Sequence, residues 1–438
     1  MNDPARAAAY EALRAVADKD SYINLVLPTI LTNRGLSGRD AAFTTELAHG
    51  TIRRRGTYDA ILDRAVGKGL ASVDAPVADV LRLGTHQLLS MRVPAHAAVS
   101  TSVDLVKRHI GHKPANFVNA VLRKVSTRDL DAWVALVTEG KSATERLSIE
   151  HSHPVWIVEA LRTALGDAAS ELPELLAADN VPPKVTLVAR PGVSTAGDLP
   201  GTERGRWSPY ARILDSGAPG EIPAIREGRA GVQDEGSQLV AIALNDTIIE
   251  GRDDRWLDLC AGPGGKAALL AALARQRGAH VTANEPQRHR ADLVRQSLMA
   301  FDNVTVTEHD GRHGPWQPGS FDRILVDAPC TGLGALRRRP ESRWRRTPAD
   351  LDQLVPLQTA LLDRALELVR PGGVVAYATC SPHVAETSEV VDAALIAHTD
   401  VSPIALPGSM PEQGDRMQLW PHKHGTDAMF TALLRKTR

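Results

Sequence analysis

Two cysteines stand where apolar runs meet polar turns: Cys330 in "LVDAPCTGLG" and Cys380 in "VVAYATCSP". Cysteine is scarce here, with Cys260 the only other one among 438 residues. A thiolate is what a deactivated aromatic ring needs. Added to C6 of a cytosine, it turns C5, a poor nucleophile toward a methyl sulfonium, into an enamine carbon. The C5 proton must afterwards leave so that the thiolate can be eliminated. This chemistry calls for a cysteine, a proton acceptor and an acid near N3, and Asp327 lies three residues before Cys330. The competing reading is that cysteine is a small buried hydrophobe. It suits Cys260, which lies within a strand-to-loop turn with no partner acid. It suits Cys330 and Cys380 less, and the residues alone leave open which of the two attacks.

A glycine-rich turn accompanies them. "LDLCAGPGGKAA", Leu257 to Ala268, joins a strand to a helix, and Gly262, Gly264 and Gly265 let backbone approach a ligand closely. A P-loop would need glycine where Cys260 stands and Ser or Thr where Ala267 stands, so that reading fails. The dinucleotide fingerprint finds Ala267 in place of its last glycine, a tolerated substitute, and stays open. S-adenosylmethionine fits better. Glu285 ends the second strand, where a carboxylate can hold ribose hydroxyls, and Asp310 follows the third, placed to meet an adenine. Asp327 ends the fourth, near where the reactive centre would lie. These are carboxyl ends of parallel strands, where open α/β sheets bind ligands.

Beyond Cys330 the chain turns basic. Arg337, Arg338, Arg339, Arg343, Arg345 and Arg346 surround one acid, Glu341, with Trp344 among them. Guanidinium groups fork onto phosphates and tryptophan stacks on unpaired bases, so this stretch is expected to contact RNA. The bland alternative is a solvated charged face. Arg53, Arg54 and Arg55 form a second cluster for which RNA contact and a structural role are both open. His153 in "HSHPVW" reads as loop packing, and no Cys/His spacing suggests a metal.

The elements that must position these residues follow from periodicity. A chain of this length exceeds one core, and roughly 150 residues per domain suggests two or three. Residues 1–140 carry apolar positions at helical spacing without a convincing strand, an all-α bundle whose first helix is capped by Asp3 and Pro4. Residues 145–240 are richer in Pro and Gly, with short β-like runs such as Lys184 to Ala189, a small α+β connector. From 241 to 438 strands alternate with helices, which implies βαβ units and a Rossmann-like α/β domain with a parallel sheet covered on both faces. No run of about 18 apolar residues could span a membrane. The amino terminus lacks the basic and apolar regions of a signal peptide. Three cysteines argue for a reducing cytoplasm, and a net charge of −1 gives no global hint of a nucleic-acid partner.

Taken together, "DAPCTGLG", "YATCSP" and "LDLCAGPGGK" resemble the signature motifs of the NOL1/NOP2/Sun family of RNA cytosine-C5 methyltransferases. The stretch from "FTTELAHGTIRRRGTYDAILD" through "FVNAVLRKV" resembles a NusB-like RNA-binding domain of the kind fused to such enzymes. The resemblance covers nearly the whole chain. It implies a monomeric enzyme that uses S-adenosylmethionine, without a metal, to methylate 16S rRNA or a small-subunit precursor. It implies that Cys380 is the nucleophile and that Cys330 assists product release. Cofactor contacts are implied for Cys260, Ala261, Gly262, Pro263, Gly264, Gly265 and Lys266, and for Glu285, Asp310 and Asp327. This chain departs from the family's more usual residues at Gly262, where Ala is commoner, and at Glu285, where Asp is.

Overall fold

The computed structural model describes residues 3–18 and 21–437, which form two units. One comprises Met1–Pro182 with Leu336–Arg345, the other Pro183–Ala335 with Arg346–Arg438. The first is helical throughout its described residues. Helix Pro4–Asp18 begins as its sequence dictates: the Asp3 carboxylate accepts the Arg6 amide at 2.9 Å, and Pro4 fills a position whose N–H would have no partner. Tyr10, Ala12 and Leu13 face a core shared with Leu47, Leu62, Leu81 and Leu122. Helices Ala143–Glu150, Val155–Leu165 and Leu172–Ala178 also belong here, so the boundary falls at Pro182–Pro183 and not near residue 140. The change in Pro and Gly content is local texture. Burial of Ile157, Val158, Leu161, Leu175 and Leu176 decides where those helices go.

The second unit opens with a small antiparallel sheet of order β2-β3-β1-β4, made of β1 (Val185–Ala189), β2 (Thr202–Arg204), β3 (Ala211–Leu214) and β4 (Ala230–Val232). A mixed eight-stranded sheet follows: β5 (Arg255–Asp258), β6 (His280–Asn284), β7 (Val304–Thr307), β8 (Phe321–Asp327), β9 (Val369–Thr379), β10 (Val401–Pro403), β11 (Arg416–Gln418) and β12 (Phe430–Lys436). Its order is β10-β12-β9-β8-β5-β6-β7, with β11 paired to β12. The strands from β9 to β7 are parallel, as alternation with helices requires. β12 departs from the expected parallel sheet and runs antiparallel to β9, β10 and β11. It follows β11 through a short connection, and only a long crossover could return it parallel.

Helices Glu235–Asp246 and Gly265–Gln276 share a core with one face of this sheet, through Leu239, Leu269, Leu325 and Val374. Helices Leu351–Leu368 and Ser388–Ala397 share another with the opposite face, through Ile324, Leu362, Tyr377 and Val391. Burial on both faces explains why β8 reads as a nearly continuous apolar run. The carboxyl ends of β5, β6, β8 and β9 therefore present Asp258, Glu285, Asp327 and Cys380 along one edge.

Candidate active site

The glycine turn is held by backbone. The Ala261 amide donates to Asn284 O at 2.8 Å and the Gly264 amide to Ala261 O at 2.7 Å. Gly264 has φ +111°, a conformation that side chains rarely adopt, and a Cβ there would meet Ser297 Cβ at 2.6 Å. Glu285, just past β6, is buried, with Oε1 accepting the Gln287 amide at 3.0 Å. Asn284, which sequence inspection missed, ties the strand ends together. Its Nδ2 donates to Leu259 O and His309 O, and its Oδ1 accepts the His309 amide. Asp310 is exposed and bound to its neighbour Arg312, whose hydrogen bonds hold its carboxyl down at about 2.

The structure brings the two cysteines together: Cys330 Sγ and Cys380 Sγ are 3.4 Å apart. Beside them Lys266 Nζ, from the first turn of its helix, donates to Asp327 Oδ2 at 2.9 Å. Burial works against the Lys266 ammonium, but attraction to Asp327, Cys380 and Asp258 outweighs it and raises the pKa. Asp258 lies beneath, fully buried; burial and the Asp327 charge push its carboxyl up to about 8. The contact with the sulfur of Cys380, and then burial, raise the pKa of Cys330. Burial, together with the charges of Asp258, Asp327 and Glu285, raises Cys260 well above the usual thiol range. A thiol so placed is inert, in keeping with a packing role.

The loop carrying Cys330 is clamped by residues without a sequence signature. Glu386, fully buried, accepts the Thr331 amide at 2.8 Å and Gln358 Nε2 at 3.0 Å. Gln358 also donates to Pro329 O at 2.8 Å. The Gly334 amide donates to Cys380 O at 2.8 Å, and a Cβ on Gly334 would lie 2.2 Å from Ala428 O. "VAET" looks like an ordinary helix approach, and only the fold shows what its Glu holds.

The arginine stretch corrects the sequence reading. Arg343 is fully buried, donating to Arg53 O, Ser152 O, Asn180 Oδ1 and Asp179 O at 2.8 to 3.1 Å. Two of those carbonyls lie at helix ends, where backbone acceptors lack partners and a forked guanidinium fits them. Arg337 is also buried, and Arg345 Nη2 donates to Val16 O at 2.8 Å. The Trp344 ring fills the space over Gly56, where a Cβ would come within 2.4 Å of it. Arg53 is buried as well, and Arg55 packs its guanidinium 5.8 Å from the Trp344 ring. These side chains hold the helical unit together and are not free to grip phosphate. Arg339 is exposed, and Arg346 pairs with Asp350 at 3.0 Å. His153 is buried 3.5 Å from Asp179, a packing residue as read. Arg343→Met, which keeps the stem and removes the donors, is expected to destabilise the helical unit by about 3 kcal/mol. A urea midpoint unchanged from the parent would return Arg343 to a surface role.

Known proteins agree with this architecture. Residues 247–435 match the family described as 16S rRNA methyltransferase RsmB/F, and residues 3–127 match the NusB family. A Mycobacterium tuberculosis protein named "Putative methyltransferase Rv1407" is 53% identical over 99% of this chain and 97% of its own. The Vibrio cholerae ribosomal RNA small subunit methyltransferase B is 30% identical over 98% of this chain and 97% of its own. The crystal structure of PH0851 shares the fold with a TM-score of 0.82 at 23% identity, covering 100% of this chain and 99% of that one. Fold and sequence together define an S-adenosylmethionine-dependent methyltransferase domain joined to a NusB-type helical domain. The dinucleotide reading of the glycine turn falls with that. The chain belongs to the RsmB/F family of 16S rRNA methyltransferases.

Proposed function

We propose that this protein, acting as a cytoplasmic monomer, transfers a methyl group from S-adenosylmethionine to C5 of a cytosine in 16S rRNA or its small-subunit precursor. The observation that carries the reading is the pair of sulfurs 3.4 Å apart beside the Asp327–Lys266 ion pair. Methylation at a nitrogen or oxygen has no use for two thiols, whereas C5 chemistry needs a thiolate and a group to help remove it.

The residues present fit the cofactor. A glycine turn whose backbone admits no Cβ at 262 or 264 faces the buried carboxylate of Glu285, which would hold the ribose hydroxyls. Asp310 would serve the adenine, and Cys260 to Lys266 the remaining contacts. When bound, S-adenosylmethionine supplies the electrophilic methyl group. The other steps belong to side chains. One negative charge is what a sulfur pair this close can hold. The family resemblance assigns that charge to Cys380, and the attraction of the Lys266 ammonium to Cys380 supports it. Cys380 then adds to C6, and N3, which gains the electron pair, takes a proton passed from the Lys266 ammonium through the Asp327 carboxyl. The C5 proton then passes to water, its electron pair forms the C5–C6 double bond as the C6–S bond breaks, and the Cys330 thiol stabilises the departing Cys380 thiolate. The target base must be unstacked to reach these groups. Of the basic stretch, the exposed Arg339 and the partly exposed Arg338 and Arg346 remain to meet phosphate.

The test is to supply 16S rRNA, free and in small-subunit particles from a strain lacking this gene, with methyl-labelled cofactor. Label should appear in one cytosine, located by bisulfite sequencing as 5-methylcytosine. Label on another atom, or none on any RNA, would reject the proposal.

A further inference from the structure

We infer that Gly262 and Glu285 are a size-matched pair, bridged by Arg290, that fixes where the cofactor's ribose hydroxyls are held; Gly262 and Arg290 are positioning residues. The inference rests on the cofactor reading above and adds the feature that sets its geometry. Gly262 is not among the glycines with positive φ, so left-handed backbone is not what calls for glycine there. What it lacks is room. An ideal Cβ at 262 would lie 2.0 Å from Glu285 Oε2 and 2.9 Å from Arg290 Nη2, closer than real Cβ contacts come.

The carboxylate cannot simply retreat. Its Oε1 is pinned by the Gln287 amide at 3.0 Å, and the side chain is buried. Arg290 Nη2 donates to Gly262 O at 2.8 Å and stands 3.5 Å from Glu285 Oε2. One guanidinium thus links the turn's carbonyl to the carboxylate. Gly264 nearby is different, since its φ of +111° already favours glycine. The glycine at 262 therefore accommodates a long acidic side chain. An aspartate, shorter by one C–C bond of about 1.5 Å, would leave space for alanine there.

Titration calorimetry of the full chain with S-adenosylhomocysteine tests this. Gly262→Ala should bind about tenfold more weakly, because Oε2 must move by about 1 Å and hydrogen bonds to a charged group are lost. Glu285→Asp should lose a similar factor through shortened reach. The double variant Gly262→Ala/Glu285→Asp should recover to within about threefold of the parent, tighter than either single change. In turnover the losses should fall on the cofactor KM more than on kcat. Arg290→Met should weaken binding with the same KM-dominated pattern. Should Gly262→Ala fail to fold, the double variant against Glu285→Asp alone carries the comparison. A double variant as weak as the product of the single losses would overturn the pairing. If Glu285→Gln binds like the parent, the ribose reading falls and the pairing with it. If Glu285→Gln is weakened while Gly262→Ala is not, only the pairing falls.

Discussion

Cys330→Ala is expected to methylate once and then remain attached to its RNA. On the proposed mechanism, attack at C6 should proceed with Cys380 intact, and the step that removes the C5 proton and frees the thiolate should fail. The product should be a stoichiometric protein–RNA adduct that survives denaturing electrophoresis and carries one methyl group per chain. Cys380→Ala should still bind RNA and cofactor, yet form no adduct, with turnover reduced on the order of 10^4-fold or more, as for loss of a covalent nucleophile. Cys260→Ala should keep substantial activity, because burial and neighbouring carboxylates hold that thiol protonated and unreactive. The converse pattern, an adduct from Cys380→Ala and none from Cys330→Ala, would reverse the roles. Activity in both variants would remove the covalent mechanism itself. The 3.4 Å separation makes the experiment sharp, since both sulfurs address the same small volume.

Asp327→Ala should cut turnover severely while leaving the chain folded. The carboxylate is partly exposed at the end of β8, outside the apolar run that forms the sheet's core. Its removal takes away the group proposed to serve N3. It also leaves the Lys266 ammonium without its acceptor at 2.9 Å. An ammonium so placed loses its main attraction while burial still opposes its charge, so its pKa should fall. The loss of kcat is expected on the order of 10^2 to 10^4, the range for a positioned acid or base. A shift of the surviving pH profile toward Lys266 deprotonation would mark the coupling between the two side chains. Near-normal methylation by a folded Asp327→Ala protein would exclude the role.

Arg337 and Arg343 mark where the sequence reading of the arginine stretch departs from the structure, for a physical reason. A run such as "RRRPESRWRR" shows charge, and charge alone favours water or phosphate. Burial of Arg343 becomes tolerable only because backbone acceptors from Arg53, Ser152 and Asp179 converge on it with Asn180. Those partners lie more than 160 residues away in sequence. Nothing local announces them. Glu386 is the same case in reverse, an unremarkable acid that the fold makes the clamp of the Cys330 loop.

Helices and strands of the first 140 residues and of the α/β domain were legible in the sequence, whereas the helices between 143 and 178 and the direction of β12 were not. Side-chain periodicity is a local property, so it marks which segments bury one face or two, and hence the alternating α/β domain and the helical one. It also marked Gly264, Glu285, Asp327, Cys330 and Cys380, because they stand in turns and at strand ends, where an open parallel sheet binds its ligands; Lys266 came from the family resemblance. Distances between them came from tertiary structure alone. Strand order put β9 beside β8, and that adjacency, absent from any local pattern, set the two sulfurs at 3.4 Å. Tertiary structure also decided that Gly262 answers to Glu285 and not to its own backbone, and which arginines lie inside. Each of these outcomes depends on what a side chain meets across space, where desolvation and hydrogen bonding to remote partners outweigh the preference of the isolated residue.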